Sequence, residues 1–171
     1  MNWPFQRRPF LVIDNDGREP ILTVRDLLNT ILERAISATQ ATGGAIALTV
    51  GAEIVCCASQ GTAPDVGTHF VMSSWGFSAR CVRKSRILLC DDSEIDPRVD
   101  RGACRQLGAR SIIAAPLCDR GRTVGILELL SSSTDAFDDN DIRELNRVAE
   151  SIAKVLGEAR PTCKKERIVA V

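Results

Sequence analysis

Several things this chain lacks narrow its chemistry. It has no excess of basic charge, with 22 Lys and Arg against 22 Asp and Glu. The electrostatic footprint of a general nucleic-acid binder is therefore missing, and no nucleic-acid partner is expected. No apolar run approaches the roughly 20 residues that cross a bilayer, so no membrane span is expected. The opening residues, MNWPFQRRPFLVIDNDG, are too polar and too interrupted for a secretory signal. His69 is the only histidine, and none of the seven cysteines forms a CxxC pair. A Cys/His zinc site has little to draw on, and no nucleophile–base set presents itself. Internal repeats and low-complexity stretches are absent as well.

The cysteines are Cys56, Cys57, Cys81, Cys90, Cys104, Cys118 and Cys163, an odd and scattered set. Most lie in apolar contexts such as EIVCC and ILLC, where a thiol behaves as a small hydrophobe. They read as reduced residues of a cytoplasmic protein. The length, 171 residues, allows one domain with a sizeable core.

In chain order, residues 1–20 have no steady period. RRPFLVID suggests a short strand, DNDGREP is turn chemistry, and the whole reads as an arm, mobile or laid on the surface. Thr23 is placed to cap a helix whose stripe is Val24, Leu27, Leu28, Ile31, Leu32, Ala35 and Ile36, ending near Thr42. Leu22 and Leu27 would form its hydrophobic staple. AIALTV and EIVCCAS read as a hairpin about Gly51, and THFVM as a third strand. Ser73 or Ser74 would cap a short helix carrying Trp75, Phe77, Cys81 and Val82, followed by a strand over Ile87–Cys90. Asp96 as cap and Pro97 at the first position predict a second short helix, closed by Gly108 in a left-handed conformation. The run Ile112–Leu117 has no polar side chain and suggests a strand covered on both faces, with a buried helix segment as the other reading its periodicity allows. Asp119-Arg120-Gly121 is a tight reversal into Thr123–Ser131, whose Gly125 marks a close approach of backbone or ligand. Asp138 caps a final helix over Asp139–Gly157, with Phe137 and Ile142 as its staple. Segregated strands and helices predict an α+β fold with a mainly antiparallel sheet.

The stretch from Arg105 to Leu156 resembles the second half of a GAF domain. The matching marks are Leu107-Gly108, Ser111, Ala115-Pro116-Leu117, Gly125-Ile126-Leu127, Phe137, Asp141, Leu145 and Ala149. Trp75-Gly76-Phe77 and Asp92 fit the first half, so the resemblance spans roughly Thr23 to Leu156. It implies a central antiparallel sheet of about six strands. Terminal helices would lie on one face, and short helices and a small-molecule pocket on the other. It also implies a regulatory role and homodimers through the terminal helices. The domain is placed at residues 21–158, between the arm at 1–20 and a tail or linker at 159–171. Ligand class does not carry over: the Asn-Lys-Phe-Asp-Glu signature of cyclic-nucleotide binders is not found, and no Cys-His pair exists to hold a bilin. A haem would have only His69, which is read as structural. Any cofactor stays unidentified.

The resemblance brings Trp75, Phe77, Asp91, Asp92, Arg98, Arg101, Cys104, Arg105, Ser111 and Glu128 into or near the pocket. Trp75 and Phe77 could stack on a planar ligand or pack their helix onto the sheet. Asp91 and Asp92 could accept ligand hydrogen bonds or serve the turn. Helical spacing puts Arg98, Arg101 and Arg105 on one face, fit for a carboxylate or phosphate; a solvated face paired with Asp96 and Asp100 is favoured. Glu128 interrupts an apolar strand, and a buried carboxylate needs a partner, either an arginine of the domain or a ligand group.

These readings combine into a non-enzymatic sensory module binding an unidentified small molecule, dimerising, and serving a signalling output domain or protein. Two alternatives stand beside it. One is a thiol enzyme resembling free methionine-(R)-sulfoxide reductase, for which Cys104 lies near the expected catalytic position. There, however, Arg105 replaces the following Asp, and Ser78 stands in place of the resolving cysteine, with Cys81 three residues on. The other is a purely structural dimerisation module with a collapsed pocket.

Overall fold

The computed structural model describes residues 9–11, 21–71 and 76–159. Strands β1 (Pro9–Leu11) and β2 (Ile21–Thr23) pair antiparallel in a small separate sheet, so the arm does contain a strand. The remaining elements are α1 (Val24–Ser37), β3 (Gly43–Val50), β4 (Glu53–Gly61), β5 (His69–Val71), α2 (Phe77–Lys84), β6 (Leu88–Cys90), α3 (Arg101–Leu107), β7 (Ser111–Asp119), β8 (Arg122–Ser131) and α4 (Asp139–Ala159). Six strands form one sheet in the order β5-β4-β3-β8-β7-β6, every pair antiparallel. The expected α+β class and strand count hold.

Side-chain alternation along the strands divides the core in two. Ile46, Leu48, Ile113, Ala115, Leu117, Leu127 and Leu129 face α1 and α4, meeting Leu28, Leu32, Leu145, Ala149 and Ile152. The opposite face carries Ala45, Ala47, Ile112, Ala114, Ile126 and Leu130, which meet Phe77, Cys81 and Val82 of α2 and Cys104 of α3. The terminal helices and the short helices thus cover opposite faces.

Local chemistry explains the boundaries. The β7–β8 hairpin turns on two residues of positive φ, Arg120 at 48° and Gly121 at 77°, the conformation a two-residue reversal needs to match strand twist. At Gly125 a Cβ would stand 2.4 Å from the Ala47 carbonyl oxygen. The close approach predicted there is therefore of neighbouring backbone. Asp138 accepts the N–H groups of Asn140 (2.7 Å) and Asp141 (3.0 Å), while the Asp141 carboxylate accepts that of Asp138 (2.9 Å). This reciprocal cap starts α4 where the sequence predicts.

Three helix limits differ from expectation. Helix α1 ends at Ser37, not near Thr42. There Thr39 turns its hydroxyl back onto the Ala35 and Ile36 carbonyls, a competing local bond that helps close the helix. Helix α2 starts at Phe77 with Gly76 at the cap. Ser73, Ser74 and Trp75 lie outside the described residues, as do the side chain of Leu22 and Cys163. Helix α3 starts at Arg101, not Pro97, with Asp100 as cap accepting the Ala103 N–H at 3.0 Å. Asp96 is instead bound to Arg98, whose N–H and side chain both use its carboxylate, and that pairing holds 97–99 in turns. Gly108 closes α3 at φ 74°, as predicted.

Candidate functional site

The sheet face under α2 and α3 is floored by its three central strands. Glu128 of β8 lies opposite Ala45 of β3 on one side and Ala114 of β7 on the other. Directly opposed residues share a face, so the carboxyl stands between two methyl groups. The rows on either side are bulkier, with Ile126 in one and Leu130 and Ile112 in the other. Above them, α2 packs on β7 and β8. Cys81 reaches from this helix to donate its thiol to the Ala114 carbonyl at 3.6 Å.

Glu128 is the electrostatic singularity of this face. The residue keeps some exposed surface, but its Oε1 is fully covered and has no hydrogen-bond partner among the described residues. Burial pushes its pKa up, and a hydrogen bond from the Ser78 side chain eases the shift only in part. No arginine or lysine among the described residues offsets its charge. Its charge raises the pKa of Cys56 of β4, Cys81 of α2 and Cys104 of α3, three thiols in the core of this same face.

The arginines have other partners. Arg98 lies before α3, so the common face expected for Arg98, Arg101 and Arg105 does not form. Arg98 grips Asp96 through Nε at 2.8 and 3.0 Å, donates to the Leu89 carbonyl at 2.6 Å, and lies over the Phe77 ring at 5.5 Å. These bonds hold the Asp96 carboxyl down at about 2. Arg105 donates to Glu94 through Nε at 2.9 Å, on the exposed surface. Arg101 is exposed. Phe77 is buried in the core beneath α2.

The acidic turn is also internally bound. Asp92 Oδ1 accepts the Glu94 N–H at 3.0 Å and, with Oδ2, receives Arg110 through contacts of 3.0 to 3.2 Å. These bonds, the backbone one foremost, lower its pKa. Asp91 is exposed, and its carbonyl accepts the Asp135 N–H at 2.9 Å. Ser93, fully buried, donates to the Ala109 carbonyl at 2.9 Å. Ser111 is buried and donates to the Ser133 carbonyl at 2.8 Å. Sequence reasoning missed Ser78, Ser93 and Arg110 as organisers of this region. The acidic run DDSE, set before a buried strand opened by an arginine, was the signal for Arg110.

The thiols are poorly suited to nucleophilic work. Burial first, then the Glu128 charge, pushes Cys56 up to about 11 and Cys81 further up. Burial is also the leading cause that raises Cys57 and Cys90 to about 12, and it raises Cys104. Arg105 does not activate Cys104, because its guanidinium is bound to Glu94. His69 forms an exposed pair with Glu53, Nδ1 to Oε2 2.8 Å, across β4 and β5. Among the described residues, no group of three or more His, Cys, Asp or Glu is arranged to hold a metal. No helix among them is long and apolar enough to cross a membrane.

The six-stranded antiparallel sheet, with helices on both faces, defines a small α+β domain. The GAF domain family model matches residues 22–156, and the chain belongs to that family. Solved structures share the fold. The GAF domain of an Acinetobacter phosphoenolpyruvate-protein phosphotransferase superposes with a TM-score of 0.71 at 17% identity, covering 81% of this chain and 84% of that one. A type II free methionine-R-sulfoxide reductase from Thermoplasma acidophilum gives 0.70 at 18% identity, covering 79% and 93%. The free methionine-R-sulfoxide reductase of Neisseria meningitidis, in complex with its substrate, gives 0.68 at 22% identity, covering 80% and 78%. No curated protein matches the chain significantly.

Proposed function

We propose that this GAF domain is a non-enzymatic sensory or regulatory module that receives a small molecule on the sheet face beneath α2 and α3. The observation that carries the reading is Glu128: a carboxyl oxygen covered and unpartnered at the centre of that face. An unpaired buried polar group costs about 1–3 kcal/mol, a cost that a ligand contact removes. The bound arginines and the internally bonded acidic turn form the frame of the site, and Glu128 is its recognition group. Ligand occupancy would be read by a second copy of the chain and by a signalling output domain or protein, in a cytoplasmic setting. For the dimer, Ile31 of α1 and Ile142 and Val148 of α4 are only half-buried and offer the seam; light scattering at micromolar concentration tests it, and a monomer removes it.

The ligand reading is tested by native mass spectrometry of protein purified without denaturation. A retained non-covalent mass present in wild type and reduced in Glu128→Gln is expected. The thiol-enzyme alternative has one supporting feature: Cys104 and Cys81 both lie on the ligand-facing side. Their raised pKa values oppose it, since the thiolate is the reactive form. Incubation with free methionine-(R)-sulfoxide and a thiol reductant is expected to give no turnover. Turnover lost in Cys104→Ser would make the protein an enzyme.

A further inference from the structure

We infer that the ligand of this face is a compact organic cation, a protonated amine or amidinium, seated with its N–H group on Glu128. The inference rests on the small-molecule reading above and adds the sign of charge and the size of the ligand.

The sign follows from which charges are already satisfied. Arg98, Arg105 and Arg110 are paired with Asp96, Glu94 and Asp92, and Arg101 is exposed to solvent. At each of the three paired arginines an anion would have to displace a carboxylate. Glu128 is the reverse case, a carboxyl with a covered, unpartnered oxygen and no cation set against it. On its side of the sheet are the Ser78 hydroxyl, which bonds to it, and the thiols of Cys56, Cys81 and Cys104, which share the core of that face. None of these carries positive charge. An N–H donor with positive charge is the complement that such an acceptor requires, because charge-assisted hydrogen bonds are the strong ones.

The size follows from the rows of the sheet. Alanines flank Glu128 on both sides, while Ile126 and Leu130 rise before and after it on the same strand. The residue row of Glu128 is thus the low one on this face, with small methyls beside the carboxyl and larger aliphatic side chains before and after it. An ammonium or amidinium with a short apolar tail suits this setting better than a large polar ring system, since beside the carboxyl only the Ser78 hydroxyl and weakly bonding thiols offer polar contacts.

The test uses the full chain, labelled at its alanine methyl groups and glutamate side chains. Three probes of one carbon skeleton, n-butylammonium, n-butanol and butyrate, are titrated at millimolar concentration and followed by NMR. Only n-butylammonium is expected to shift the Ala45 and Ala114 methyls, and in Glu128→Gln the affinity should fall about tenfold or more. The same cation should move the Glu128 titration midpoint to lower pH in the wild type, a readout that does not depend on the variant folding. If butanol or butyrate shifts those methyls equally well and the Glu128 midpoint stays put, the cation inference is overturned while a ligand site survives. If none of the three reaches the methyls, the face is closed and the small-molecule reading falls with it.

Discussion

Replacing Glu128 by Gln should stabilise the free domain at neutral and alkaline pH. The two side chains have nearly the same shape, so packing against Ala45 and Ala114 is retained and the change is electrostatic. Burial raises the folded-state pKa of Glu128 above its unfolded value. Below the unfolded value both states hold the proton and the group contributes no penalty. As pH rises through the folded value, the unfolded chain has already released its proton, and the folded chain must ionise a covered carboxyl. Stability is therefore lost with rising pH. Glutamine leaves the same position covered, so the difference at about pH 8 is the cost of ionising the carboxyl in place, on the order of 1–3 kcal/mol. For a chain of this length, each 1 kcal/mol moves the thermal midpoint by roughly 2–4 °C. The expected outcome is a midpoint several degrees higher for Glu128→Gln at about pH 8, with the gap closing near pH 4. Paired thermal unfolding curves followed by circular dichroism measure it. The acid-sensitive carboxylates Asp92, Glu94, Asp96 and Asp138 have lowered pKa values in both proteins, so their effects cancel in the difference. A variant no more stable than wild type at about pH 8, or a gain that persists unchanged at about pH 4, would refute the reasoning.

Other substitutions test other links. Gly125→Ala places a methyl 2.4 Å from the Ala47 carbonyl oxygen and 2.8 Å from Leu48 Cδ2; a loss of about 3 kcal/mol in urea unfolding is expected. Leu28→Ala or Leu145→Ala, each 2% exposed, should cost about 2–5 kcal/mol in the same assay. Asp96→Asn should remove acid sensitivity between pH 3.8 and about 2, because a depressed carboxylate contributes stability above its unfolded value and loses it as the folded value is crossed. Brief iodoacetamide treatment followed by peptide mapping should modify Cys118 first among the described cysteines. It alone of them is exposed, and alkylation of Cys104 at a comparable rate would contradict the burial assigned to it.

The periodic stripes of α1 and α4, the apolar run of β7, the Gly121 reversal, the Asp138 cap and the Gly108 stop are all legible in the sequence. Each depends on residues within one or two turns of one another, and together they suffice for the α+β class and the family. The Gly125 approach is legible too, although only the register with Ala47 and Leu48 shows that neighbouring backbone occupies the space. The arginines are different. Spacing placed Arg98, Arg101 and Arg105 on one helix face, but the Asp96–Arg98 pairing holds the chain in turns until Asp100 caps α3. Glu94 takes Arg105 from eleven residues away, and Asp92 takes Arg110 from eighteen. Glu128 was conspicuous in its strand as a carboxyl that needs a partner, but local pattern could not say whether an arginine would supply it. That depended on what β3, β7, α2 and α3 bring to one spot. They bring two methyls, a hydroxyl and thiols, and no cation. Solvation and charge pairing at a buried group are set by the elements that pack over it, so only the tertiary structure could decide that this carboxyl has no cation beside it among the described residues.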